Sequence, residues 1–380
     1  MDRLIVVVIA CTGLLAGAAC PAAASGPRLF ALGGDGAFLE DVANTRAWCG
    51  GLAEHGGWLA VQTGPINQYD GYTRDQAGWR TIGPAAGVHL PLGADGRHGT
   101  AALWWDGRAA GGGSGELGDD RLADAWQIQY GRRFGGLAAA FSVRHGGGEH
   151  AYGPSLRLQR TRDEFGLGAR FDLGERAYVD LAGELVQLAQ DATVDQAVAV
   201  SRATADSYGL RGRAFVQAGT GLVLVPVVEH RREGRDGDPV LGSPGFRLWR
   251  LGAGLTWLPD PDHLVLLAAD WRDARHETDA ALPFTSDVVS CRLAVEARIH
   301  ALLSVRLASG YRRTALDLDA GGRPTFHDVP VSAGLAVHLG PADLDLAVAN
   351  APPTGPDGLP GIGSLDDDDT WLTAGLSWWF

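Results

Sequence analysis

The chain has 380 residues and carries 45 Asp plus Glu against 32 Lys plus Arg, a formal net charge of -13. That balance excludes a nucleic-acid partner, which needs a basic footprint. A mean hydropathy of -0.03 is too low for a bundle of membrane helices, but strands with one polar and one apolar face hide both in such an average.

Residues 1–24 read as a secretory signal peptide. Arg3 precedes the apolar run Leu4 to Leu15, and Ala22-Ala23-Ala24-Ser25 offers an A-x-A site cut after Ala24. The run is too short to span a bilayer. Cys20 raises a lipoprotein alternative, but Gly17 stands where a Leu-like residue belongs three positions earlier. Removal of the signal leaves Cys49 and Cys291, far apart and without a CxxC or His-x-x-His companion, so no zinc site or disulfide framework is indicated. Cys291 reads as a small hydrophobe on a strand face, and a single bridge between the two stays open.

Residues 25–56 form a separate N-terminal segment. Ala37 to Thr45 predicts a short helix with Phe38, Leu39, Val42 and Ala43 turned inward, ended by Gly50-Gly51. The stretch holds Ala37-Phe38, Ala43-Asn44, Ala47-Trp48 and Gly51-Leu52-Ala53, and in this it resembles the start of FadL-like and PorV-like outer-membrane proteins. In those families a small-residue stretch leads into an Asn-Pro-Ala-Gly-Leu motif that packs as a plug inside a barrel. Cys49-Gly50 stand here where Asn-Pro belongs, a departure that bears on any gating role. The resemblance implies that Phe38, Ala43, Asn44, Trp48, Gly51 and Leu52 lie in a plug or along a ligand path. FadL-like barrels have fourteen strands.

From Gly57 onward, residues 57–380 alternate in strand fashion between two kinds of connection. Tight turns fall at 93–96, 134–136, 174–175, 219–221, 259–262, 300–301 and 340–342. Long polar connections fall near 67–76, 108–123, 146–163, 190–205, 233–245, 274–286, 316–328 and 352–369. A membrane barrel needs this rhythm, with short periplasmic turns and long external loops, and a sandwich does not. Seven tight turns, with one more strand at either end, predict about sixteen strands, or fourteen if one hairpin is miscounted. The fold class is therefore all-β, a transmembrane antiparallel up-and-down barrel of about 14–16 strands with a short helical plug.

The faces support this. Trp249, Leu251, Ala253, Leu255 and Trp257 share one side of their strand, opposite Arg250, Gly252, Gly254 and Thr256. Phe165, Leu167, Ala169 and Phe171 form a second such face, and Val289, Cys291, Leu293, Val295 and Ala297 a third. An Arg or Lys at the bilayer midplane costs roughly 2–4 kcal/mol, so the absence of charge from these faces points to lipid. The opposite faces place Arg170, Asp180, Glu184, Arg211, Arg213, Arg250, Asp270, Arg272, Arg292, Glu296, Arg306 and Asp345 toward the lumen, with Arg170 and Asp180 set across one hairpin. The last strand ends Leu372, Ala374, Leu376, Trp378, Phe380 on its apolar face. Leu376, Trp378 and Phe380 resemble the terminal signal read by the barrel-assembly machinery of bacterial outer membranes, and such a strand must close on a first strand.

No G-x-S-x-G, HExxH or P-loop occurs in context, and no catalytic residue, metal or cofactor is expected. Ser309 with His338 is the pair an outer-membrane lipase would need, but rim polarity is the preferred reading. Asp366 to Asp369 reads as a solvated external loop ahead of a calcium site. The expected partners are outer-membrane lipid, the assembly machinery and a small hydrophobic ligand. The function implied by the resemblance is passage of small hydrophobic or amphipathic compounds across the bacterial outer membrane. The alternatives are a PorV-like accessory of protein secretion and a general diffusion porin.

Overall fold

The computed structural model describes residues 26–33, 36–63, 66–69, 78–81, 85–93, 96–107, 125–152, 156–194, 198–236, 245–277, 284–318, 322–350 and 371–380. The signal peptide, the turn residues 94–95 and the acidic run Asp366 to Asp369 lie outside them. No described helix is long and apolar enough to cross a membrane, and the crossing is made by strands.

The strand segments are β1 (Trp58–Gln62), β2 (Ile66–Tyr69), β3 (Gly78–Thr81), β4 (Ala85–Pro91), β5 (Thr100–Asp106), β6 (Ala125–Phe134), β7 (Leu137–Tyr152), β8 (Leu156–Asp172), β9 (Ala177–Val194) and β10 (Val198–Gly219). They continue with β11 (Leu222–Asp236), β12 (Gly245–Asp260), β13 (His263–Glu277), β14 (Phe284–His300), β15 (Leu303–Leu318), β16 (Thr325–Asp328), β17 (Val331–Leu339), β18 (Ala342–Ala349) and β19 (Trp371–Trp379). β1 with β2, β3 with β4, and β16 with β17 each continue one another along a shared neighbour, so nineteen segments make sixteen antiparallel strands.

Closure is made by β1 against β19, with Trp58 opposite Trp379 and Val61 opposite Leu376. The Phe380 amide donates to the Gly57 carbonyl at 3.2 Å. No edge is left open at this seam, as hydrocarbon requires. Glycines with positive φ at Gly135, Gly174, Gly221 and Gly340 turn the tight hairpins, which mark the periplasmic end.

Period-two alternation decides the faces. Leu167, Phe171, Leu251, Leu255, Trp257, Leu267, Leu293, Leu307, Leu344, Leu376 and Phe380 are exposed on the outer face. Their neighbours Arg170, Arg250, Thr256, Ala268, Ala294, Arg306, Asp345, Thr373 and Ser377 are buried on the inner one. Cys291 is exposed on the outer face, Cys49 is buried in the lumen, and both are free, so no bridge joins them.

Two expectations need correction. The long connections near 146–163 and 190–205 are mostly strand: β7, β8 and β9 run for 16, 17 and 18 residues, and β10 for 22. Beyond the bilayer neither face needs to be apolar, so the alternation that marks a strand fades while the backbone ladder continues. The single helix expected over 37–45 is instead two 3-10 turns, Gly36–Phe38 and Val42–Arg46. Asp41 caps the second by accepting from the Ala43 amide at 2.8 Å, and Asn44 turns back to donate to the Gly36 and Leu39 carbonyls at 2.7 and 2.8 Å. These side chains compete for the backbone groups that a continuous helix would pair.

Candidate functional site: the plugged lumen

Residues 26–33 and 36–54 lie in the barrel interior as a short helix α1 (Gly26–Ala31), the two turns above and a third, Cys49–Glu54. α1 lies against β15, β17, β18 and β19, Gly36–Phe38 against β11 and β12, and Cys49–Glu54 against β5 through β9. The segment therefore bridges opposite walls.

Apolar packing makes the first set of contacts. Phe38 is 0% exposed and clusters with Leu32, Leu39 and Trp48 against Phe215, Val225, Val227, Leu264 and Leu266 of the wall. Its ring fills a notch that β12 leaves at Gly252 and Gly254, where a Cβ would sit 2.9 Å from ring atoms. Arg250 covers the ring, its guanidinium carbon 5.4 Å from the centroid. A second cluster sets Val42 and Leu52 against Trp58, Ala60, Ala102 and Trp104. Gly50 passes so close to β8 that a Cβ on it would meet the Ala169 backbone at 2.7 Å.

Charge makes the second set. Arg28 pairs with Asp41 at 3.1 Å within the plug and with Glu296 of β14 at 2.7 Å. Glu296 also takes Arg306 at 3.1 Å, and Arg306 pairs on with Asp345. Across the lumen Asp180 is shared by Arg170 at 2.7 Å and Arg213 at 3.0 Å. Arg170 reaches Glu40 of the plug at 2.5 Å, and the Tyr178 hydroxyl donates to the same carboxylate at 2.7 Å. Arg213 donates to the carbonyls of Gly36, Ala37 and Leu39 at 3.2, 3.2 and 3.1 Å, reinforcing from the wall the turn that Asn44 holds from within the plug. Arg292 donates to the Gly33 carbonyl at 3.0 Å, and Arg46 pairs with Asp106.

Burial works to raise the Glu40 carboxyl, but Arg170 and the Tyr178 hydrogen bond outweigh it and hold it below the usual carboxylate range. Burial lifts Asp41 to about 6 against the pull of Arg28. It pushes the His55 imidazole down to about 4 against the pull of Glu40.

Arg170, Asp180, Glu184, Arg211, Arg213, Arg250, Asp270, Arg272, Arg292, Glu296, Arg306 and Asp345 lie on the inner face of the wall. Arg170, Asp180, Arg213, Arg292 and Glu296 lie within two links of the plug. Arg250, which covers Phe38, joins Asp270 and Arg272 in a wall network, with Asp270 taking Arg272 at 2.7 Å and Arg250 at 3.4 Å. Glu184 pairs with Arg211, beside Trp48. In the plug, Phe38, Asn44, Trp48, Gly51 and Leu52 are buried and Ala43 is half-buried. Gly51 sits beside Arg170. Arg28, Glu40 and Asp41 were not anticipated, and nothing local marks them. The apolar inner strip had a sign: Leu222 to Val228 and Leu264 to Ala269 are apolar on both faces, which lipid on one side does not require.

Ser309 stands on the outer face of β15, away from His338. His338 meets Ser304 instead, at 2.8 Å through Nε2, and Asp343 at 2.7 Å through Nδ1. The order matches a nucleophile, base and acid. Ser304 is 3% exposed, which leaves its hydroxyl no room for a substrate carbonyl, and the three side chains tie β15, β17 and β18 together. No group of three or more His, Cys, Asp or Glu among the described residues could hold a metal ion.

Between plug and wall a cavity of about 20 Å³, lined by Arg46, Cys49, Gln127, Ser142, Glu184 and Arg211 among others, has room for a single water.

No family model and no curated protein matches the chain. Among solved structures it is similar to CdiB from Acinetobacter baumannii, 11% identical with a TM-score of 0.53, over 85% of this chain and 60% of that one. CdiB from Escherichia coli is 12% identical with a TM-score of 0.52, over 84% and 63%. The chain thus spans about three fifths of the length of these CdiB structures. FadL-type barrels are also among the structures it resembles, with the Pseudomonas putida toluene transporter TodX 10% identical at a TM-score of 0.47, over 94% and 98%. Likeness at such identity speaks of fold alone, and the fold is that of an outer-membrane β-barrel.

Proposed function

We propose that the chain passes a small hydrophobic or amphipathic compound across the outer membrane and is closed at rest by residues 26–54. The observation that carries this is the double nature of the plug's seat. A water-filled pore has no use for Phe215, Val225, Val227, Leu264 and Leu266 on its inner wall, because apolar surface facing water is unfavourable at roughly 25 cal/mol per Å². With the plug withdrawn, that strip and the flanking arginines would offer a solute both an apolar bed and charged contacts. A general porin fits less well, since the described lumen is filled. The resemblance to the toluene transporter TodX agrees with this reading but does not carry it.

The test uses the native Cys49. Its thiol lies against Ser142 of β7, so a disulfide from Cys49 to a Ser142→Cys variant, with Cys291→Ser to remove the outer thiol, locks the plug. The expected result is loss of uptake of a small aromatic hydrocarbon into proteoliposomes under oxidation, and its return with reductant. Uptake indifferent to the lock sinks the proposal.

A further inference from the structure

The outer face beyond His230 and Trp249 carries a concentration of positive charge that a chain of net charge -13 does not lead one to expect. In the ladder Arg232 of β11 stands directly opposite Arg247 of β12, and Arg247 directly opposite Arg275 of β13. All three side chains are exposed, while Arg231, Leu248 and Ala274 beside them are buried on the inner face. Two strand spacings separate the ends of the row, so three guanidinium groups share roughly 10 Å of surface. Like charges directly opposite one another destabilise a sheet. Tyr208 of β10 extends the row, opposite Arg232 and also exposed.

The level is fixed by what lies beneath. His230 and Trp249, stacked with ring centroids 4.1 Å apart, are one outward position nearer the bilayer centre. Below them Val228, Leu251 and Trp271 are exposed and contiguous. The row therefore stands at the headgroup level of the outer leaflet, directly above an apolar strip. Asp206 and Asp273 are diagonal neighbours on the same face and trim the field, and Asp273 is itself set against Asp287.

We propose that Tyr208, Arg232, Arg247 and Arg275 bind the phosphate groups of a phosphorylated, multiply acylated glycolipid of the outer leaflet, its chains lying on Val228, Leu251 and Trp271. Arginine suits phosphate because its planar fork donates two parallel hydrogen bonds. An open, solvent-washed row gives a free phosphate ion no enclosure. A lipid held by its chains at the same level presents its phosphates at high local concentration. The proposal rests on the outer face meeting lipid and not on what crosses the lumen.

The experiment titrates the full-length, detergent-solubilised chain by thermophoresis with a bisphosphorylated acylated glucosamine disaccharide and with its dephosphorylated counterpart. Each arginine contributes about fivefold, so the phosphorylated lipid should bind about a hundredfold tighter. Arg232→Ser with Arg247→Ser and Arg275→Ser should remove that preference, while heat-modifiable migration on gels reports an intact barrel. Arg247→Ser alone should lose about fivefold, which keeps the test open if the triple variant fails to fold. Inorganic phosphate should not displace the lipid. Equal affinity for the two lipids, or unchanged affinity in a folded variant, overturns the proposal. Displacement by inorganic phosphate alone also overturns it, because the row would then be an ion site and not a lipid site. Proteoliposome uptake in the folded variants should match wild type, so failure here leaves the transport reading standing.

Discussion

The Arg28 guanidinium of the plug lies 2.7 Å from the Glu296 carboxylate of β14, and both side chains are almost fully withdrawn from solvent. Removing one partner of a buried pair costs more than the pair was worth, typically about 3–5 kcal/mol, because the other charge is stranded. Glu296→Gln should therefore loosen the plug and raise the open probability of the barrel in planar bilayers. If Glu296→Gln stays as silent as wild type, the pair is not a latch.

The notch under Phe38 gives a steric test. Phe38→Ala should weaken plug docking by about 3–5 kcal/mol, the usual range for emptying an aromatic site. Gly254→Leu should do the same from the wall side, since even a Cβ there comes within 2.9 Å of the ring. Protease cleavage within residues 26–54 should rise in both variants while barrel migration on gels is unchanged.

The His55 imidazole should tie plug docking to pH in a defined window. The folded-state value of His55, about 4, is below the ordinary 6.5, so its contribution is fully present above pH 6.5 and is lost as pH falls toward 4. Glu40, held low mainly by Arg170 against burial, adds the same sign at lower pH. Asp41, raised to about 6 by burial, works the opposite way, with stability lost as pH rises through 6. Wild type and His55→Gln share Glu40 and Asp41, so the difference between them isolates the imidazole. Between pH 6.5 and 4 the open probability of wild type should rise relative to that of His55→Gln, and a difference that does not change with pH would count against the assignment.

The Ser304, His338 and Asp343 chain is predicted to be mechanical. His338→Ala leaves a buried carboxylate and a buried hydroxyl without their partner and should destabilise the barrel by about 2–4 kcal/mol, read as a lower unfolding midpoint in denaturant. A fluorophosphonate probe should leave Ser304 unlabelled. Stoichiometric labelling would make Ser304 a nucleophile and overturn this assignment.

The barrel was legible in the sequence because hydrocarbon enforces a period of two. Leu251, Leu255 and Trp257 can be read from their spacing alone, and Arg170 opposite Asp180 follows once the hairpin at Gly174 is placed. The upper halves of β7 to β10 were not legible, because water on both faces imposes no alternation. The plug's position could be read only from its resemblance to known barrels, and its fastening not at all. Arg28 and Glu296 are 268 positions apart, and no local pattern records a contact made by closing a ring.

The plug is joined to the wall through Gly56 and Gly57, and the next residue, Trp58, is where the first strand meets the last. Any tug on the stopper is thus delivered to the one lateral joint that holds the cylinder shut. Displacing the stopper and straining the joint are mechanically coupled, and the ring packing of Trp58 with Trp379, centroids 5.8 Å apart, is the clasp that must bear it.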